Sequence, residues 1–105
     1  MFALKLLFTS TVNAECMIFE ERIIMVQASN PQQAQQMVKR YFVADNSYEN
    51  ANGEQNTVTL EAVLDCFEVV DQVPAMHLVE VYSRYLIYDE PTTVEQVIKD
   101  YKLNA

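Results

Sequence analysis

Apolar and polar residues alternate along two segments near the start of the chain, the pattern of half-buried strands. The first segment covers residues 2–11 and the second covers residues 17–28. Within the second, Ile23 to Val26 is an unbroken apolar run rich in β-branched residues, which favours a strand buried on both faces. Residues 12–15 separate the two segments, and we expect a hairpin loop there.

The pair Asn30-Pro31 predicts the start of a helix. The residue before a proline is displaced from the α region, as an N-cap must be, and proline suits the first helical position. Gln33 completes a capping box. Beyond it, apolar residues recur at helical spacing, which predicts one buried helix face. The residues of this face are Ala34, Met37, Val38, Tyr41 and Phe42.

The second half of the chain predicts two more strands and a second helix. Residues 45–56 form a polar connection with an Asn-Gly turn pair. Residues 57–70 predict a long third strand, and residues 77–88 predict a fourth. Thr92 and Glu95 form a capping box, after which apolar residues follow helical spacing to Tyr101.

The order β-β-α-β-β-α predicts an α+β fold in a single domain over residues 1–105: a four-stranded, mostly antiparallel sheet with both helices packed on one face. On the third strand we expect Val58, Leu60, Ala62 and Leu64 to lie together under a helix. The complete predicted core is Leu4, Leu6, Phe8, Ile24, Val26, Met37, Val38, Phe42, Leu60, Leu64, Val81 and Ile98.

Composition and charge narrow the function. The chain has 105 residues, half of them apolar, and a net charge of −8, which argues against nucleic acid or an anionic membrane as a partner. Its one glycine excludes dinucleotide-binding, P-loop and nucleophile-elbow motifs, which need several. No apolar run approaches the length of a membrane span. We read residues 1–8 as strand rather than signal peptide and expect a cytoplasmic protein with Cys16 and Cys66 reduced.

Short motifs spread along the chain resemble one known family. They are Glu20-Glu21-Arg22-Ile23-Ile24-Met25-Val26 with Ala28, then Ala34, Tyr48, Asn50, Gly53, Glu61 with Val69, and Glu80-Val81-Tyr82-Ser83-Arg84. Together they resemble the small bacterial proteins of domain-of-unknown-function family 4288, over most of the chain up to Tyr88. The resemblance implies a small α+β domain from a bacterium or its phage, and it implies no activity.

Charged residues on the second and fourth strands predict structural ion pairs. Glu20 and Glu21 are adjacent on a strand and therefore point to opposite faces, so they cannot act as a paired acid and base. We expect an inward-facing carboxylate of the two to pair with Arg84 or, as the second choice, Arg22. A functional carboxylate is the alternative.

An acidic series follows the third strand at Glu61, Asp65, Glu68 and Asp71. It is consistent with cross-strand ion pairs, with a solvated or aggregation-blocking edge, or with a docking surface for a basic protein. We expect an arginine to pair with Glu61 and expect Asp65 to remain free for a partner.

Tyr82 and Arg84 share a face of the fourth strand and are residue types enriched in interface hot spots, although both are also ordinary half-buried strand residues. Glu61, Asp65, Glu68, Tyr82 and Arg84 are therefore the candidate partner-binding residues.

We find no catalytic constellation and expect no cofactor or metal. Acidic neighbours make both cysteines poor nucleophiles, and a site joining them to His77 would require three separate elements to converge. The leading hypothesis is a non-enzymatic interaction module, acting as a homodimer or on another protein, with an immunity or antitoxin-like inhibitor as one version. The alternative is a small-molecule-binding or enzymatic dimeric α+β domain. Its cavity would be lined by Met17, Met25, Met37, Phe42 and Tyr85.

Overall fold

The computed structural model describes residues 1–12, 15–42, 46–49, 52–69 and 77–103. These residues form five strands and two helices. In chain order the elements are β1 (Phe2–Val12), β2 (Glu15–Val26), α1 (Pro31–Tyr41), β3 (Asn46–Glu49), β4 (Gln55–Glu68), β5 (Val79–Ile87) and α2 (Val94–Tyr101).

The strands form one antiparallel sheet in the order β3-β4-β1-β2-β5. The predicted α+β class and all four predicted strands are confirmed. The sheet also contains β3, which pairs with the start of β4 inside the segment expected to be a polar connection. Its sequence, Asn-Ser-Tyr-Glu, is too short and too polar for an alternating pattern to reveal it.

The N-terminal apolar segment is β1, the central strand, which confirms the prediction of a strand at this place. Leu4 lies opposite Ile24 on one side and Cys66 on the other. Residues 13 and 14 of the predicted hairpin loop lie outside the described residues. Val12 and Glu15 on either side of them are directly paired.

Apolar side chains cover both faces of the sheet, and each face has its own core. On the α1 face, Leu4, Leu6 and Phe8 pack with Ala34 and Val38 of the helix. We call the opposite one the α2 face, where the core residues are Leu7, Phe19, Leu86, Val97 and Leu103. The expectation that both helices share one face therefore differs from the structure. Because consecutive strand residues point to opposite faces, the apolar run Leu6, Leu7 and Phe8 places apolar side chains on both faces of β1, and each face is buried under a helix.

Two bulges in β4 redirect its side chains. The register between β1 and β4 shifts between Lys5 and Leu6 and again between Leu7 and Phe8. As a result Leu60 packs into the core of the α1 face, while Ala62 packs into that of the α2 face. The expectation that these residues lie under one helix is wrong, because each extra residue in a bulge reverses the alternation beyond it.

The helix caps follow the sequence closely. Asn30 is the N-cap of α1, and its Oδ1 accepts a hydrogen bond from the Gln33 amide at 2.8 Å. The Gln33 side chain accepts from the backbone amide of Ser29. Helix α2 is capped by Thr93, one residue after the predicted Thr92, and the Thr93 hydroxyl accepts from the Gln96 amide at 3.2 Å.

The core differs from the predicted set mainly on β5. Val81 was expected to be buried but is 46% exposed, because β5 is an edge strand. Leu7, Phe19 and Val97 are fully buried, although the predicted core does not contain them; Val97 belongs to the apolar face predicted for the second helix. They belong to the α2 face, whose existence becomes evident only when α2 is placed.

Candidate protein-interaction surface

Strand β5 forms one edge of the sheet and exposes an unusual number of apolar side chains. Among the described strands it pairs with β2 alone, so its outer row of backbone groups has no strand partner there. We call the exposed apolar residues of this strand the β5 surface, which consists of Val79, Val81, Tyr82, Tyr85 and Ile87.

The register between β2 and β5 explains why Tyr85 and Ile87 are exposed. Tyr85 lies opposite Glu20 and Ile87 opposite Ile18, on the α1 face, but α1 lies over β1 and β4 at the other side of the sheet. Tyr85 is accordingly 65% exposed and Ile87 69%. By contrast, Leu86 points to the α2 face and is buried in its core.

Beside the β5 surface on the α1 face, one arginine holds two carboxylates. Arg22 Nη2 donates to Glu20 Oε1 at 2.7 Å, and Arg22 Nε lies 3.4 Å from Glu80 Oε1. The guanidinium carbon is 4.1 Å from the centre of the Phe8 ring, a cation–π distance. Arg22 therefore links β2 to β5 and packs over Phe8, a buried residue of this core.

On the α2 face, the buried carboxylate of Glu21 lies between two cationic side chains, those of Arg84 and Lys5. Arg84 Nε donates to Glu21 Oε1 at 2.9 Å, and Lys5 Nζ lies 3.6 Å from Oε2, which makes no hydrogen bond within the described structure. Lys5 also donates to the carbonyl of Leu103, and Arg84 lies over the Tyr101 ring. Glu20 and Glu21 thus use different arginines on opposite faces, and Arg84 is a structural partner as well as a neighbour of the β5 surface.

The ionic groups next to the β5 surface balance one another. The contacts above join three carboxylates to three cations, so their formal charges sum to zero. The net charge of −8 therefore comes from residues elsewhere in the chain. The ion pairs that flank the β5 surface therefore add no net charge to it, and the exposed carboxylates of Asp89 and Glu90 lie beyond the end of the strand. The six balanced residues are Glu20, Glu21, Glu80, Lys5, Arg22 and Arg84.

The acidic series lies on β4, on the far side of the sheet from β5. Glu61, Asp65 and Glu68 are exposed, and Asp71 lies outside the described residues. The arginine expected beside Glu61 is not there: Glu61 Oε1 accepts a hydrogen bond from the hydroxyl of Thr9 at 3.0 Å. Strand β1 separates β4 from β2, and Arg22 and Arg84 pair with carboxylates of β2.

Residues with catalytic or metal-binding potential are dispersed. Cys66 is a free thiol, and burial, followed by the charge of Asp65, raises its pKa and so reduces its nucleophilicity. His77 Nδ1 accepts from the backbone amide of Gln27 at 3.0 Å. Within the described residues, no three of the histidine, cysteine and carboxylate side chains group as metal ligands.

The residues expected to line a ligand cavity lie apart. Phe42 packs edge-on against Phe8, with ring centroids 5.0 Å apart, which fills the space between α1 and the sheet. Met37 lines an open concavity of about 320 Å³ beside Tyr41, whereas Tyr85 is exposed on β5. The side chain of Met17 lies outside the described residues.

Comparison with known families gives one match, to the family described as Domain of unknown function (DUF4288), over residues 1–83. The chain belongs to this family. The match ends within β5 of this DUF4288 protein, and α2 lies beyond it. No curated protein and no solved structure matches the DUF4288 chain. None of its helices in the described ranges is long and apolar enough to cross a membrane.

Proposed function

We propose that the protein is a non-enzymatic interaction domain that binds a protein partner through the β5 surface. The observation that carries the proposal is an edge strand with five exposed apolar side chains and no described neighbour on its outer side. Such an edge binds a strand of a partner through backbone hydrogen bonds, while alternate side chains supply specificity. Aromatic residues and a nearby arginine supply the side-chain types that dominate interface energy.

The contrast between the two edges of the sheet supports this choice. Beyond its short pairing with β3, strand β4 exposes Glu61, Asp65 and Glu68, with Phe67 as the one exposed large apolar side chain of the strand, and it bulges twice where it pairs with β1. Charges and bulges are the features that prevent a sheet edge from pairing with other strands. Strand β5 has one bulge, between its contacts with Ile23 and Ile24, and its five exposed apolar side chains outnumber its exposed polar ones, Glu80, Ser83 and Arg84.

The candidate partner-binding residues therefore separate into two groups. Tyr82 and Arg84 belong to the proposed binding strand, whereas Glu61, Asp65 and Glu68 lie on the β4 edge, where we assign them a solubilising role. An immunity-type inhibitor of a cationic toxin would use the acidic β4 edge instead. The free thiol of Cys66 suits a reducing compartment, and we propose the cytoplasm.

The proposal is tested by capturing partners with the wild-type chain and two matched variants. Ile87→Lys places a charge on the β5 surface, and Asp65→Lys reverses one on the β4 edge; both sites are exposed, so folding should persist. Proteins captured from the source cells and quantified by mass spectrometry should be lost with Ile87→Lys and retained with Asp65→Lys. The opposite result would assign binding to the acidic edge and overturn the proposal.

A further inference from the structure

We infer that the partner of the β5 surface is a second copy of this chain, paired through an antiparallel β5–β5 contact about a twofold axis. The two five-stranded sheets would then form one ten-stranded sheet. This inference rests on the proposed function, since it names the occupant of the same surface. Three properties of the described residues favour a second copy over an unrelated protein.

The first property is that only one of the two edges is suited to pairing. Self-association through β5 is isologous, because the same strand serves in both copies, and such a contact closes at the dimer. If both edges were apolar, a β5–β4 contact would propagate into filaments. The acidic side chains and the bulges of β4 oppose such a β5–β4 contact. This is the arrangement expected of a chain that dimerises through β5 without forming filaments.

The second property is charge. Two copies that each carry a net charge of −8 repel one another, and the repulsion is least when the contact is made where charges are paired within each copy. The β5 surface satisfies this condition, because the three carboxylates and three cations beside it are paired within each copy. An unrelated cationic partner would gain more from the β4 edge, where Glu61, Asp65 and Glu68 are exposed.

The third property is that the sequence of β5 is compatible with its own antiparallel copy. An axis at Arg84 would place two guanidinium groups opposite each other, which is unfavourable. An axis at Ser83, the midpoint of Val79–Ile87, instead places Tyr82 of each copy opposite Arg84 of the other. That pairing permits a cation–π contact on both sides of the axis, and the small serine side chains allow close approach at the centre.

A cysteine scan tests both the dimer and its axis. In a chain with Cys16→Ser and Cys66→Ser, Ser83→Cys should form a covalent dimer under mild oxidation, because only residues on the axis lie opposite themselves at disulfide distance. Tyr85→Cys is the matched control: it is on the same strand and is also exposed, but it should form no covalent dimer, because it lies away from the axis. Preferential cross-linking of Tyr85→Cys would contradict the Ser83 axis while retaining the dimer.

Sedimentation of the unmodified protein distinguishes failure of this inference from failure of the proposed function. The wild-type chain should sediment as a dimer, and Ile87→Lys should weaken dimerisation by roughly tenfold or more. A wild-type monomer at all concentrations would overturn the second-copy inference. If that monomer still captured another protein in a manner sensitive to Ile87→Lys, the proposed function would stand; if it captured none, both would fail.

Discussion

At the scale of single residues, the buried carboxylate of Glu21 makes the stability of the fold sensitive to substitution of its cationic neighbours. Its side chain is 4% exposed, and its closest cationic contact is Arg84, at 2.9 Å, with Lys5 more distant at 3.6 Å. A carboxylate buried without its partner costs more than the pair contributes when intact, because the charge has lost both water and its counter-ion.

We therefore expect Arg84→Met to reduce the free energy of unfolding by about 1–3 kcal/mol, a value tempered by the partial exposure of the arginine. The double variant Glu21→Leu/Arg84→Met should recover most of that loss, because it removes the stranded charge. Denaturant titration of the single and double variants measures both effects. A double variant that is no more stable than Arg84→Met would show that the charge of Glu21 is not the cause.

Tyr88 makes the free energy of unfolding depend on pH in the alkaline range. Burial and, next, a 2.9 Å hydrogen bond from its hydroxyl to Asp100 raise the pKa of Tyr88 from 10.0 to about 12. The folded protein therefore holds this proton more tightly than the unfolded chain. The resulting stabilisation is complete below pH 10 and is lost as the pH rises from 10 towards 12.

In Tyr88→Phe, the loss of stability caused by ionisation of Tyr88 should disappear. The difference in unfolding free energy between the wild type and Tyr88→Phe should therefore narrow as the pH rises from 10 towards 12. Denaturant titrations at several pH values, with the ultraviolet absorbance of tyrosinate followed in parallel, measure it. Parallel profiles of stability against pH for wild type and Tyr88→Phe would show that Tyr88 ionises at the same pH in the folded protein and in the unfolded chain.

At the scale of elements, the start of helix α1 is determined by neighbouring residues in the sequence. Asn30→Ala removes the acceptor for the Gln33 amide and should destabilise the protein by about 0.5–2 kcal/mol. Asn30→Asp keeps an acceptor at the same place and should cost much less. Thermal unfolding of the two variants compares them directly, and equal losses would mean that the Asn30 side chain does not stabilise the helix through this bond.

Elements defined by nearby residues were predictable from the sequence, and those defined by distant contacts were not. The Asn30-Pro31 start and the alternation in β1 and β2 depend on neighbouring residues. The bulges of β4 depend on how it meets β1, so the pattern around Leu60 and Ala62 misplaced the side chains beyond them. Likewise, the position of α2 on the second face depends on β1 being apolar on both sides.

The candidate site shows the same division. That Glu20 and Glu21 must separate follows from strand geometry alone, and Arg84 was identified as a partner from its residue type. The exposure of Val81 and Tyr85 could not be deduced in this way. Their strand is apolar enough to be internal, and only the strand order shows that it is an edge.

At the scale of the whole molecule, the sheet has two unlike edges. Its β4 side is acidic and bulged, while its β5 side exposes mainly apolar side chains, and α1 and α2 each cover part of one face between the edges. This asymmetry favours association through the β5 edge over association through the β4 edge. It is the physical basis for the binding role that we propose.

The most direct test is residue-resolved hydrogen exchange of the backbone amides, compared between dilute protein and the bound state, whether formed by a second copy or by a captured partner. Outward-facing amides of β5 should exchange markedly more slowly in the bound state, while those along residues 59–68 of β4 should be unchanged. Slowed exchange on β4 with β5 unaffected would contradict the account.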